Sequence, residues 1–164
     1  LAEHGLLGCA VEWFEQTDGV FHEPRTWRPY ALASVNTHDL PPCAGYLDYE
    51  HVRIRERLNL LTCSAQEFLV DNGYLDPKLL EDEHANEQQI VESLYRALKA
   101  APSKLLAASL TDAVGEHRAQ NQPGTNNEYP NWRVPLADAQ GNVVPLETLF
   151  DNARLQSLTA IMQS

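Results

Sequence analysis

The chain is poor in basic residues, in cysteine and in long apolar runs, and each scarcity excludes a class of protein. Only 12 lysines and arginines stand against 23 aspartates and glutamates, a formal net charge of −11 at pH 7. Such a chain repels phosphate, so neither nucleic acid nor an anionic membrane is an expected partner. No segment approaches the roughly 20 consecutive apolar residues that a membrane-spanning helix needs.

Cysteine usage and ligand spacing exclude further kinds of site. Cys9, Cys43 and Cys63 cannot all pair within the chain and form no Cys-x-x-Cys motif, which predicts reduced thiols in a cytoplasmic protein. The six histidines show no metal-ligand spacing with each other or with cysteine, and no glycine-rich phosphate loop occurs. We therefore expect neither a metal ion nor a cofactor.

What is present suits one globular domain of the α/β class. Hydrophobic residues make up 43% of the 164 positions, which excludes a disordered chain. Three nearly continuous apolar runs predict strands: Val11–Phe14, Ala31–Val35 and Lys104–Leu110. Because these runs do not alternate with polar residues, they favour strands of a parallel sheet that is covered on both faces.

Helical patterns lie between and after these runs, as expected of an α/β fold. They are predicted over 48–61, from a Ser64–Glu67 capping box to Gly73, from Asn86 to Pro102, and as one helix over Leu146–Met162. The third helix has its apolar face at helical spacing: Ile90, Val91, Leu94, Tyr95 and Leu98.

The first segment with chemical character is a His-Asp pair, His38 and Asp39, just after the second predicted strand. In α/β barrels the carboxyl ends of the strands build the active site. An aspartate facing a pocket there can accept hydrogen bonds from sugar hydroxyls, and a histidine can donate or accept one. The alternative is that Asp39 caps the next helix and that His38 is merely packed nearby.

The second such segment is an irregular loop that follows the third predicted strand. It runs from Asn121 to Arg133 and contains two prolines, a glycine, several asparagines, Tyr129 and Trp132. Planar amides pair with sugar hydroxyls, and aromatic rings lie under the apolar face of a pyranose. For Trp132 and Arg133, we favour the alternative of a structural loop in which Trp132 is a buried anchor.

Together, the two segments resemble the carboxyl-terminal part of glycoside hydrolase family 77, the amylomaltase family. The resemblance rests on Thr37-His38-Asp39-Leu40-Pro41 followed by Ala44-Gly45-Tyr46, and on Asn121-x-Pro123-Gly124-Thr125-x-x-Glu128-Tyr129-Pro130-Asn131-Trp132-Arg133. Both motifs are long and occur in the expected order, and the resemblance extends over essentially the whole chain.

The resemblance implies a (β/α)₈ barrel of the α-amylase type, acting without a cofactor on malto-oligosaccharides and glucose. Such enzymes cut an α-1,4 bond and pass the glucan segment to the 4-hydroxyl of another sugar. Their mechanism is retaining, with an aspartate nucleophile and a glutamate acid/base. Asp39 would stabilise the transition state, and His38 and Asn121 would bind substrate hydroxyls.

The resemblance also implies that residues 1–164 are only part of a barrel. The three predicted strands would be the sixth to the eighth, so the nucleophile and the acid/base, with the rest of the barrel, would precede Leu1. The chain alone would then be inactive. Glu12 and Glu15 do not replace the missing carboxylates, because the sequence around them does not match the family's acid/base motif. Two alternatives remain: a non-catalytic carbohydrate-binding or scaffold remnant, and another α-amylase-type hydrolase, against which the loop after Asn121 argues.

Overall fold

Three short parallel strands organise the chain. The computed structural model describes residues 2–18, 20–48, 50–58 and 87–164. The central strand pairs in parallel with one neighbour on each side, with Ala33 opposite Ala10 and Leu106. In chain order the strands are β1 (Gly8–Val11), the hairpin strands β2 (Gln16–Thr17) and β3 (Val20–Phe21), β4 (Ala31–Ser34) and β5 (Leu105–Ala107). The sheet has the order β1-β4-β5, which confirms the predicted parallel arrangement.

The first strand lies earlier in the chain than the sequence predicts. β1 ends at Val11, and residues 12–14 form a turn of 3₁₀ helix. Val11 pairs with Ser34, the last residue of β4, so the β-prone Trp13 and Phe14 lie beyond the last pairing position. Trp13 instead stacks on the ring of Tyr46, with ring centroids 4.4 Å apart.

The described residues cover one face of the sheet and leave the other open. Ala10 and Ala33 are fully buried against the helices. On the opposite face, the aligned residues Cys9, Leu32 and Leu105 are exposed, Leu105 by 52%. The expectation of two covered faces is therefore wrong for the described part of the chain, although the apolar row is of the kind that a second layer buries.

Five α-helices complete the described structure. They are α1 (Cys43–Leu47), α2 (Glu50–Arg57), α3 (Glu87–Leu98), α4 (Leu110–Val114) and α5 (Ala153–Gln163). The apolar face predicted for α3 is confirmed, because Val91, Tyr95 and Leu98 are buried against the sheet. The predicted capping box and the end of its helix at Gly73 lie outside the described residues.

The carboxyl-terminal segment is broken rather than a single helix. Residues Leu146–Asp151 form a 3₁₀ helix, and the side chain of Asn152 then accepts hydrogen bonds from the backbone of Arg154 and Leu155. This N-cap begins α5 as a separate helix. In consequence Leu146 and Phe150, predicted on one apolar face with Leu158, are more than 70% exposed.

Candidate active site

The loops that follow β4 and β5 meet at the carboxyl end of the sheet. The amide Nδ2 of Asn121 donates a hydrogen bond of 2.7 Å to Oδ1 of Asp39. These residues are 82 positions apart in the chain and come from the two segments that the sequence singled out. The carboxylate keeps its second oxygen toward His38, whose Nε2 lies 3.4 Å from Oδ2 of Asp39.

The helix-cap alternative for Asp39 does not hold, and the side chain of His38 is largely exposed. The N-cap of α1 is Pro42, which makes no side-chain capping bond, so Asp39 is not the cap of that helix. The side chain of His38 is 63% exposed and that of Asp39 is 52% exposed. Both groups are therefore accessible to a ligand from solvent.

Trp132 is exposed, which corrects the prediction of a buried anchor. The residue is 64% exposed, and its backbone adopts the left-handed conformation at φ 61°. Its ring lies 5.3 Å from the ring of His38, at an angle of 45°. A large residue in this conformation is strained unless its surroundings hold it, and here its backbone N–H donates to the carbonyl of Gln120 at 2.8 Å. Arg133, the other residue assigned to that structural loop, is exposed as well.

A cavity of about 260 Å³ opens beside these side chains, at the ends of β4 and β5. Its polar lining includes Thr37, His38, Ser109, Thr111 and Gln120, and Trp132 forms part of its wall. Asp39 and Asn121 do not line this cavity; they border a smaller adjoining one of about 30 Å³ together with Arg55. Both cavities therefore combine apolar wall residues with a few polar side chains.

Most other polar side chains of the second loop stabilise the loop itself. Asn131 accepts from the backbone of Gln122 at 2.7 Å and donates to Oγ1 of Thr125 at 2.9 Å. The hydroxyl of Tyr129 donates to the carbonyl of Ala119 at 2.7 Å. Among the asparagines of this loop, Asn121 is thus the one whose side chain reaches Asp39.

A close backbone approach at Gly45 brings the two loops together. A Cβ placed on Gly45 in α1 would lie 1.9 Å from the carbonyl oxygen of His117, so any side chain would push the chain leading to Asn121 away. Next to this contact, Nδ1 of His117 lies 2.8 Å from Oδ2 of Asp48. The glycine therefore contributes to the distance between Asn121 and Asp39.

Sequence reasoning missed a buried carboxylate below the His-Asp loop. Asp112, in α4, is 2% exposed and accepts hydrogen bonds from Asn36, Cys43 and Tyr95. Burial raises the pKa of Asp112 above its usual value, although these hydrogen bonds partly oppose the change. The only sequence signal for this buried carboxylate was a single aspartate among the apolar residues of α4. From sequence alone, such an aspartate cannot be distinguished from one on the exposed face of a helix.

The two glutamates near the end of β1 do not join Asp39. Glu15 accepts from Nη2 of Arg28 at 3.0 Å and so belongs to an ion pair. Glu12 is mostly buried, its Oε2 has no hydrogen-bond partner in the described part of the chain, and burial raises its pKa from 4.5 to about 7.

The described ranges contain no candidate metal site and no candidate membrane span. There, no group of three histidine, cysteine or acidic side chains is placed to hold a metal ion. Within the same ranges, no helix has the length and apolar character to cross a membrane. Cys9 and Cys43 are free thiols, and Cys63 lies outside the described residues.

A parallel α/β unit whose polar loops meet at the carboxyl ends of its strands defines the class as an α/β fold with its candidate site at that edge of the sheet. The family model for 4-alpha-glucanotransferase matches residues 1–140. The chain therefore belongs to glycoside hydrolase family 77, the 4-alpha-glucanotransferases, which confirms the resemblance.

Individual relatives agree with this assignment. The chain is 42% identical to the 4-alpha-glucanotransferase of Mycobacterium tuberculosis over 98% of its own length, and it spans 24% of that protein. It is 24% identical to the enzyme of the same name from Haemophilus influenzae. Thus the chain spans about a quarter of the length of the curated relatives it matches.

Two solved structures have a similar fold. Amylomaltase from Corynebacterium glutamicum superposes with a TM-score of 0.88 at 35% identity, over 99% of this chain and 26% of that one. Amylomaltase from Streptococcus agalactiae, solved with acarbose, has a TM-score of 0.56 at 20% identity over 99% of this chain and 28% of its own. The second likeness is evidence for the fold alone.

Proposed function

We propose that the protein, at the full length its gene encodes, is a 4-alpha-glucanotransferase that transfers α-1,4-glucan segments between malto-oligosaccharides. The observation that carries the proposal is the hydrogen bond between Asp39 and Asn121, which joins the two motifs on which the family resemblance rests. Membership of the family supports the reaction class. Malto-oligosaccharides and glucose are the proposed substrates, in the cytoplasm and without a cofactor.

Asp39 is the proposed transition-state stabiliser. When the glycosidic bond breaks, positive charge develops on the sugar ring, and a nearby carboxylate stabilises that charge more than it stabilises the neutral substrate. Asn121 holds one carboxylate oxygen at 2.7 Å, so Asp39 enters the reaction already oriented. His38, beside it, is the proposed ligand of a sugar hydroxyl, and Asn121 uses its remaining amide groups in the same way.

Trp132 supports a carbohydrate rather than a small charged ligand. Its ring borders the cavity of about 260 Å³ and contacts His38, so an apolar surface and a polar group lie side by side. A pyranose has an apolar face and an edge of hydroxyls, which match this arrangement. The exposed ring also gives a specific reason to keep the second candidate, a carbohydrate-binding part without catalysis of its own.

The proposed position in the barrel is the sixth, seventh and eighth strands, formed by β1, β4 and β5. The exposed face that carries Cys9, Leu32 and Leu105 supports this proposal, because the inner face of a barrel presents apolar side chains that fill its interior. The nucleophile and the acid/base would then belong to the barrel's earlier strands, before Leu1. Glu15 forms an ion pair with Arg28, which agrees with the proposal that the nucleophile and the acid/base are other residues.

The test is disproportionation of maltotriose by the purified full-length protein. We expect both glucose and dextrins longer than maltotriose, since transfer conserves the number of glycosidic bonds. Glucose and maltose without longer products would indicate hydrolysis instead. Binding of maltotriose without any turnover would contradict the proposed activity and favour the carbohydrate-binding candidate.

A further inference from the structure

The buried carboxylate of Asp112 connects three parts of the fold. Its Oδ1 accepts the backbone N–H of Cys43 at 2.7 Å. Its Oδ2 accepts from Nδ2 of Asn36 at 2.9 Å, from Sγ of Cys43 at 3.1 Å and from the hydroxyl of Tyr95 at 2.6 Å. With Asp112 only 2% exposed, this group cannot itself touch a substrate.

Two of its partners are the ends of the loop that carries Asp39. Asn36 follows the last residue of β4 by two positions, and Cys43 is the first residue of α1. The segment 37–42, with His38 and Asp39 near its middle, therefore spans two points that are fixed to the same carboxylate. Inside the segment, the backbone offers one further restraint, a hydrogen bond of 3.1 Å from Leu40 N–H to the carbonyl of Thr37.

We propose that Asp112 is a positioning residue for the transfer reaction, holding both ends of the His38–Asp39 loop so that Asp39 faces the sugar. This inference rests on the proposed function. Asn121 fixes the middle of the same loop through Asp39. Three points of attachment determine the orientation of the Asp39 carboxylate, and a displacement of about 1 Å in an active site lowers rates by roughly 100-fold.

A carboxylate is required at this position because every partner is a donor. The amide of Asn36 presents its N–H, the backbone of Cys43 presents another, and the hydroxyl of Tyr95 already accepts the N–H of Ser109 at 3.1 Å. An asparagine in place of Asp112 would keep the shape but direct an N–H at the donor of Asn36 or Cys43. The loop would then lose its attachment at one end without any change in the residues that face the cavity.

The experiment compares Asp112→Asn with Tyr95→Phe in the full-length protein. Tyr95→Phe removes a hydrogen bond from the same carboxylate but leaves both loop ends attached, so it is the matched control for lost stability. For Asp112→Asn we expect kcat to fall at least tenfold while KM for maltotriose changes less than threefold. For Tyr95→Phe we expect kcat within about twofold of the wild type, even if its melting temperature falls as much as that of Asp112→Asn.

A second readout does not depend on activity. Hydrogen–deuterium exchange of the peptide covering 37–42 should become faster in Asp112→Asn and stay unchanged in Tyr95→Phe. Should Asp112→Asn fail to fold, the fallback is Asn36→Ala, read by exchange alone because Asn36 also lines the cavity; removal of its bond to Asp112 is expected to give the same faster exchange of 37–42, and unchanged exchange would overturn the positioning role.

The outcomes separate the two proposals. Equal kcat values and equal exchange rates in the Asp112 and Tyr95 variants would overturn the positioning role and leave the transferase activity untouched. A wild-type protein without transfer would overturn the proposed function, and the exchange rates would still decide whether Asp112 holds the loop.

Discussion

The buried carboxyl group of Glu12 makes the stability of the protein depend on pH in a direction opposite to that of most carboxylates. Glu12 follows β1 in the 3₁₀ turn at 12–14. Its Oε2 has no hydrogen-bond partner among the described residues. Removal from water disfavours the ionised form, and burial raises the pKa of Glu12 from 4.5 to about 7.

The sign follows from which state binds the proton. Between about pH 4.5 and pH 7 the folded protein keeps Glu12 protonated while the unfolded chain has released the proton. Stability falls with rising pH wherever the folded state binds more protons. Since one pKa unit corresponds to about 1.4 kcal/mol, the free energy of unfolding is lower by about 3 kcal/mol above pH 7 than it would be with a neutral side chain at this position.

The assay is the melting temperature of the wild type and of Glu12→Gln at pH 5 and at pH 8. Glutamine is neutral at both values, so we expect similar melting temperatures at pH 5 and a variant that is several degrees more stable at pH 8. Glu15→Gln is the matched control, because it removes the charge that pairs with Arg28 and should not raise the melting temperature. A Glu12→Gln protein no more stable than the wild type at pH 8 would refute the reasoning.

Two further substitutions probe the approach of the loops and the histidine. Gly45→Ala places a methyl group 1.9 Å from the carbonyl of His117, and we expect a loss of about 2 kcal/mol or more in the free energy of unfolding, measured by urea denaturation; unchanged stability would contradict the close approach. His38→Ala removes the proposed ligand of a sugar hydroxyl; if that ligand binds more strongly in the transition state, steady-state kinetics on maltotriose should show a larger decrease in kcat than increase in KM. A change in thermal stability alone would instead identify His38 as a packing residue.

The sequence was sufficient for the parts of the fold that a local pattern determines. The apolar run of β4 and the helical spacing of Val91, Tyr95 and Leu98 each reflect burial of one face, and both were predicted correctly. The sequence singled out the segments of Asp39 and Asn121 but did not predict their hydrogen bond, which the structure adds; both segments follow parallel strands, whose carboxyl ends share one edge of the sheet.

Other features depended on contacts that no local pattern encodes. Trp132 was expected to be buried because tryptophan is largely apolar, yet its backbone is held at φ 61° and directs the ring outward. Strand β1 ends before the β-prone residues Trp13 and Phe14. Its last residue, Val11, pairs with Ser34, where β4 also ends, so the next residues have no strand partner. Asp112 was overlooked because its hydrogen-bond partners come from three separate segments.

The most direct test of the central claim is the kcat of Asp39→Asn in the full-length protein with maltotriose as substrate. Asparagine keeps the shape and can still accept the hydrogen bond from Asn121, so circular dichroism should show an unchanged fold, while the charge that stabilises the transition state is lost. We predict a decrease in kcat of roughly 10²–10³-fold, the usual effect of removing one such electrostatic partner. Turnover close to that of the wild type would contradict the account and reduce Asp39 to a structural residue of its loop.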